Sequence, residues 1–167
     1  MALSKILPDV ATGDVLQRIS TQGETYTSGD TLSWDNGSSY INETTAYNNG
    51  NLTPLKSLAV TARRANSKFH INLTGKFHIN NNYRSQICLG TTYSAGSFAT
   101  SNMMFYSHYG SYNSTGGDLY DHGGWSYDDT RNLAKGASRT YHWFGGSIGG
   151  GTQKYWNLNM SIIEVAS

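Results

Sequence analysis

The sequence predicts an all-β fold of antiparallel strands, and three observations carry that prediction. Between Ser67 and Asn80 the chain reads S-K-F-H-I-N-L-T-G-K-F-H-I-N, polar and apolar residues alternating throughout. Phe69, Ile71, Leu73, Phe77 and Ile79 fall on one side, and Lys68, His70, Asn72, Thr74, Lys76 and His78 on the other. A period of two is that of a strand with one buried and one wet face. Composition agrees: charged residues make up 14% of the chain, against roughly 25% in an average soluble protein. Gly, Ser, Thr, Asn and 12 Tyr take their place, the mix of short strands joined by turns. Lastly, no stretch is rich in the Ala, Leu, Glu and Lys that build long helices.

The elements follow in order. Residues 1–13 close on Pro8-Asp9 and Thr12-Gly13 and read as a short arm carrying Leu3, Ile6, Leu7 and Val10; the domain spans 14–167. Asp14–Thr21 sets Val15, Gln17 and Ile19 on one side, a first strand. Weaker strands are expected near Thr31–Trp34 and Tyr40–Tyr47, parted by the turn signal Asp35-Asn36-Gly37. Leu55–Ala62 carries Leu58 and Val60 into a turn at Arg63–Asn66, which leads to the long strand. Gly75 stands mid-strand on the apolar side, where glycine marks a bulge or a close neighbouring backbone. After a turn at Asn80–Asn82, Arg84–Thr91 is the return strand, with Ile87 and Leu89 inward.

Met103–Tyr109 is another short strand, and Ser111–Asn132, with its Gly-Gly pairs and aspartates, reads as the longest irregular stretch. Arg139–Gly145 sets Tyr141 and Trp143 against His142 and Phe144, and a Gly-rich turn covers Gly145–Thr152. Lys154–Trp156 follows, then Leu158, Met160 and Ile162 open the last strand; at Ile162-Ile163 the alternation slips by one, as a bulge or a strand buried on both faces would cause. Turns recurring about every 8–12 residues predict a β-sandwich or jelly roll.

Several functional classes drop out. Net charge is +1, which nominates no nucleic-acid partner. The lone Cys88 excludes an intrachain disulfide framework and is expected to be a buried, inert thiol. No segment is apolar enough to insert in a membrane, and Met-Ala-Leu-Ser-Lys-Ile lacks a signal-peptide core, so assembly in a cytoplasm is expected. The sequons at Asn36, Asn42, Asn51, Asn72, Asn113 and Asn159 are what so Asn/Ser/Thr-rich a chain produces by chance. From Thr44 to Gly117 there is no Asp or Glu, while Lys56, Arg63, Arg64, Lys68, Lys76 and Arg84 fall there; acid returns at Asp118, Asp121, Asp128 and Asp129. That pattern suits either a solvated basic face or a basic face meeting an acidic loop across a subunit contact.

No constellation points to catalysis or a cofactor. His70 and His78 share a face but stand roughly 26 Å apart at strand rise, too far for one ion. The aspartates around Asp121-His122 lack calcium-loop spacing. No nucleophile elbow, phosphate loop or Ser/His/Asp set rises above background, and carboxylates for glycoside cleavage would have to hide in the acidic stretch. A non-enzymatic protein without metal or cofactor is expected. The best binding candidates are the aromatics Tyr112, Tyr120, Trp125 and Tyr127 with the acids Asp118, Asp121 and Asp128. Flat aromatic faces and acceptor oxygens suit sugar rings or a protein surface.

Short patches also carry a family pattern: Thr12-Gly-Asp-Val-Leu-Gln17, Leu52-Thr-Pro54 ahead of Ser67-Lys68-Phe69, Ala137-Ser-Arg-Thr-Tyr141, and the closing LNMSIIEVA of Leu158–Ala166. Over roughly residues 12–166 the chain resembles small C-terminal domains of tail-fibre and other virion structural proteins, chiefly of marine bacteriophages. The resemblance implies a trimeric jelly roll of the tumour-necrosis-factor-like type, held to other virion proteins through the arm. It implies a fibre or knob contacting a glycan or protein of the host surface, on a virion assembled in the host cytoplasm. Family members often follow a long shaft, whereas here the domain follows the arm 1–13; a head fibre or capsid decoration (cement) protein is the alternative. A free carbohydrate-binding lectin is the alternative outside the virion.

Overall fold

The structure, a computed structural model, describes residues 13–21, 34–36, 47–48, 54–79, 84–91, 97–98, 103–110, 119–148 and 153–167. Among these residues the chain is all β: β1 (Val15–Ser20), β2 (Trp34–Asn36), β3 (Tyr47–Asn48), β4 (Lys56–Thr61), β5 (Lys68–Ile79), β6 (Arg84–Gly90), β7 (Ser97–Phe98), β8 (Met103–Gly110), β9 (Leu119–Asp129), β10 (Ser138–Ile148) and β11 (Gln153–Val165). There is no helix among them, hence none long and apolar enough to cross a membrane.

Two sheets account for the long strands. One has the order β1-β11-β5-β9, antiparallel throughout. In the other, β10 pairs β6 along one edge, and β8 continues beyond β6. Along its opposite edge β10 pairs first β4, antiparallel, and then β2, parallel. β3 and β7 form a separate small pair.

The apolar faces of the two sheets share one core. Phe69, Ile71 and Leu73 of β5, Trp125 of β9, and Leu158, Met160 and Ile162 of β11 meet Val60 of β4, Ile87 and Leu89 of β6, and Tyr141 and Trp143 of β10. All these side chains are buried, as the alternation predicts for those it placed inward. Two glycines show how closely the faces interdigitate. A Cβ on Gly145 of β10 would stand 2.6 Å from Leu55 Cδ1 and 2.8 Å from Tyr155 Cζ of the facing sheet. A Cβ on Gly123 would stand 2.5 Å from the Trp125 ring. The indole therefore lies in the notch that glycine leaves in its own strand. The side chains of Phe77 and Ile79 lie outside the described residues.

Several expectations are corrected. Residues 119–129 are not irregular: β9 pairs β5 from Phe69↔Asp129 to Ile79↔Leu119. Its period of two is present but hidden, because two inward positions are Gly123 and Asp129 rather than large apolar residues. Arg84–Thr91 does not return beside β5; β6 crosses to the other sheet. Asp35 and Asn36 lie in β2, not in a turn, and Gly145–Ile148 complete β10. Gly75 is where a close backbone was expected, opposite Gly123, but the bulge is in β11, between Trp156 and Asn159.

The slip at Ile162-Ile163 is absent. Register with β5 runs unbroken from Asn159 to Val165, and the inward position after Ile162 is filled by a buried carboxylate, Glu164. In β1, Gln17 and Ile19 are half-buried while Val15 is exposed, since the register with β11 shifts between Val15 and Gln17. Phe69 is fully buried between the sheets, with its ring 6.5 Å from that of Tyr141. Phe69→Ala is expected to cost on the order of 3–5 kcal/mol, measured by urea unfolding; a loss below about 1 kcal/mol would remove it from the core.

Candidate functional site

Three regions of the molecule are organised by polar chemistry: the end at which Gly13 stands, the opposite end, and the open face of the β1-β11-β5-β9 sheet. The first is tied by main-chain bonds. Gly13 N donates to Ala166 O at 2.7 Å and Ala166 N to Asp14 O at 2.9 Å. Ala62 N donates to Ala137 O at 2.9 Å and Gly136 N to Ala62 O at 2.8 Å, joining the β4–β5 turn to the β9–β10 connection.

Two carboxylates lock this end. Glu164 accepts the backbone N–H of Arg63 (2.9 Å) and of Arg64 (3.1 Å), together with the Gln17 amide. Asp129, 1% exposed, accepts Arg131 N at 2.9 Å and Arg131 Nε at 3.0 Å. It also accepts Arg139 Nη1 at 2.7 Å and Tyr141 Oη at 2.8 Å. Burial by itself would raise the Asp129 carboxyl, but the hydrogen bonds from Arg131 and Tyr141 and the Arg131 charge outweigh it and hold it below its ordinary value. The same surroundings push the Tyr141 phenol up, through burial first and then the Asp129 charge. Asp129, expected among loop acids, is instead a buried structural anion.

The opposite end is where the strands of both sheets stop together. Ile79 stands beside Leu119 and Gln153 in one sheet, and Arg84 beside Gly110 and Ile148 in the other. The connections 80–83, 111–118 and 149–152 therefore all leave from this end. Tyr112 and Asp118 belong to the second of these and lie outside the described residues. Tyr120 and Asp121 follow on the first turn-proximal positions of β9, their side chains also outside the described set.

The other three expected binding residues are elsewhere. Trp125 is 6% exposed and part of the core, which closes its ring to a ligand, and Tyr127 is half-buried against that core. Asp128 points outward and is hydrogen-bonded to His70 across the β5–β9 pair. It stands eight positions from Tyr120 on one strand, roughly 26 Å at strand rise. Among the described side chains, Trp125 and Tyr127 turn toward the core and Asp128 turns outward, so these three do not share one site. The arm residues Leu3, Ile6, Leu7 and Val10 lie outside the described residues.

The open sheet face consists of rungs. Arg18, Ile163, His70 and Asp128 form one; Ser20, Ser161, Asn72 and Ser126 the next; Asn159, Thr74 and Gly124 a third. The other sheet's outward side differs: Phe144 and Cys88 face away from the shared core yet are fully buried. Burial pushes the Cys88 thiol up, which suppresses the reactive thiolate. His142 beside them accepts or donates to Ser57 Oγ at 2.7 Å, and burial holds its imidazole below the ordinary histidine value. Among the described residues no three His, Cys, Asp or Glu gather as a metal site.

No protein-family model matches the chain, and no curated protein matches it.

Because the folded Asp129 value lies below the unfolded one, about 3.9, its stabilisation is present above that pH and is lost as pH falls through the folded value. Asp129→Asn should therefore lower stability at pH 7 by about 1–3 kcal/mol and flatten the acid limb of the stability curve. Unfolding titrations at pH 7 and below pH 4 check both; parallel acid limbs in the two proteins would show that Asp129 does not drive the acid transition.

Proposed function

We propose that this chain is a non-enzymatic virion structural protein, a jelly-roll knob that presents one end to a host surface while its N-terminal arm anchors the other. The observation that carries this reading is the polarity of the domain. Gly13, where the arm begins, is bonded to Ala166 at the tied end, and three inter-strand connections leave from the opposite end. A body held by one end and reading with the other is what a knob requires.

The strand order supports the jelly roll. β4, β5, β6 alternate between sheets, as do β8, β9, β10 and β11, giving β1-β11-β5-β9 facing β4-β10-β6-β8, the double-sheet pattern of two Greek keys. A homotrimer is the assembly we infer. β8, the last strand beyond β6, reads MMFYSHYG and has one strand neighbour among the described residues. An apolar, aromatic edge invites cover, and a three-fold arrangement closes it. Light scattering should report about three times the chain mass of 18.3 kDa; a monomer independent of concentration would remove the trimer.

In this reading Leu3, Ile6, Leu7 and Val10 dock on another virion protein, with ordering entropy lost at that step. Tyr112, Asp118, Tyr120 and Asp121 serve the surface contact, whereas buried Trp125 is excluded from it. Three weak copies acting together gain roughly 10²–10⁴ through avidity when geometry allows. Tyr112→Ala with Tyr120→Ala should sharply reduce adsorption of virions to host cells while thermal stability stays the same. Intact adsorption with particles newly fragile to heat would favour capsid decoration instead.

A further inference from the structure

We propose that the outer face of the β1-β11-β5-β9 sheet is a binding trough for an anionic oligosaccharide, independent of the loop end and of whether the chain sits on a virion. Two hollows on this face meet at Thr74. The larger, about 490 Å³, is lined chiefly by Arg18, Ser20, Asn72, Thr74, Asn159 and Ser161. The smaller, about 240 Å³, is lined by Thr74, Gly75, Lys76, Gly123 and Asn157.

Their origin is local. Across from Thr74 stands exposed Gly124, so β9 raises no side chain beside Thr74 on this face, whereas the next pair, Gly75 and Gly123, faces the core. On the other flank β11 bulges between Trp156 and Asn159, with Asn157 at φ 54. Bulges and strand glycines recur where a ligand approaches a sheet closely.

The chemistry of the lining selects the ligand. Ser and Thr hydroxyls and Asn amides each both donate and accept, as sugar hydroxyls do, and here they are short and mounted on paired strands that hold their spacing. Arg18 stands at one end of the trough and Lys76 at the other, with no Asp or Glu among the described lining residues. Asp128 ends the same rung as Arg18, three strands away on β9, and is engaged by His70. A saccharide bearing carboxylate or sulfate groups complements that arrangement, the guanidinium gripping an oxyanion with paired N–H donors.

Gly124 allows a clean test. A Cβ there would meet only Thr74 Cγ2, at 3.8 Å, and its φ lies outside the left-handed region. Gly124→Val therefore fills the trough without disturbing the strand, in contrast to Gly123, whose Cβ collides with Trp125. The full chain is applied to a glycan array carrying uronate, sialate and sulfated oligosaccharides beside their neutral counterparts, and hits are titrated by calorimetry.

Binding to anionic members, lost with Gly124→Val and weakened roughly ten- to a hundredfold by Arg18→Gln at an unchanged unfolding midpoint, supports the proposal. Binding to none of the anionic members, or binding indifferent to Gly124→Val, overturns it. So does Gly124→Val dissociating an oligomer in light scattering, which would make this face an interface between copies of the chain.

Discussion

The fold is organised around a single rung of the β1-β11-β5-β9 sheet. Gln17, Glu164, Phe69 and Asp129 are successive partners across its four strands. The last three point inward and are buried. A carboxylate on each side of a core phenylalanine is costly to desolvate unless every oxygen is occupied. Here the oxygens are occupied by the connections that leave the sheet. Glu164 holds the amides of the β4–β5 turn, and Asp129 holds Arg131 and Arg139 on either side of the β9–β10 connection. Tyr141 carries the arrangement to the facing sheet, its ring against Phe69 and its hydroxyl on Asp129. The same groups thus close the core and determine how the chain crosses between sheets at this end.

That constraint separates the molecule's surfaces by task. With the Gly13 end drawn together, the opposite end carries the connections 80–83, 111–118 and 149–152. Of the two outward sheet faces, one buries its apolar Phe144 and Cys88. The other displays short polar side chains on paired strands, a rigid array rather than an adaptable loop. Rigid donors and acceptors lose little entropy on binding, which suits recognition of a repeating, hydroxyl-rich polymer.

Much of the fold was legible from residue pattern. The alternation of Phe69, Ile71 and Leu73, and of Tyr141 and Trp143, identified their buried faces because large apolar residues stood at every second position. Where the inward position was glycine or a carboxylate the pattern disappeared. β9 looked like a loop because Gly123 and Asp129 occupy inward places, and the pattern looked slipped at Ile162-Ile163 because Glu164 takes the next inward place in β11. Pattern alone has no way to know that Gly123 makes room for Trp125, or that Asp129 meets two arginines from the following segment. The candidate site suffered for the same reason: aromatics gathered in sequence were spread along an extended strand, and the polar trough draws on residues from four strands that no short motif joins.

Whether the buried rung holds the tied end to the core is tested most directly by native-state hydrogen exchange at the amides of Arg63 and Arg64. Those amides donate to Glu164 at 2.9 and 3.1 Å. They are expected to exchange only through global unfolding, with the same free energy as the β5 and β11 amides, and to lose that protection in Glu164→Ala while β6 and β10 keep theirs. Fast exchange at Arg63 and Arg64 in the unsubstituted protein, as for an ordinary surface turn, would contradict it.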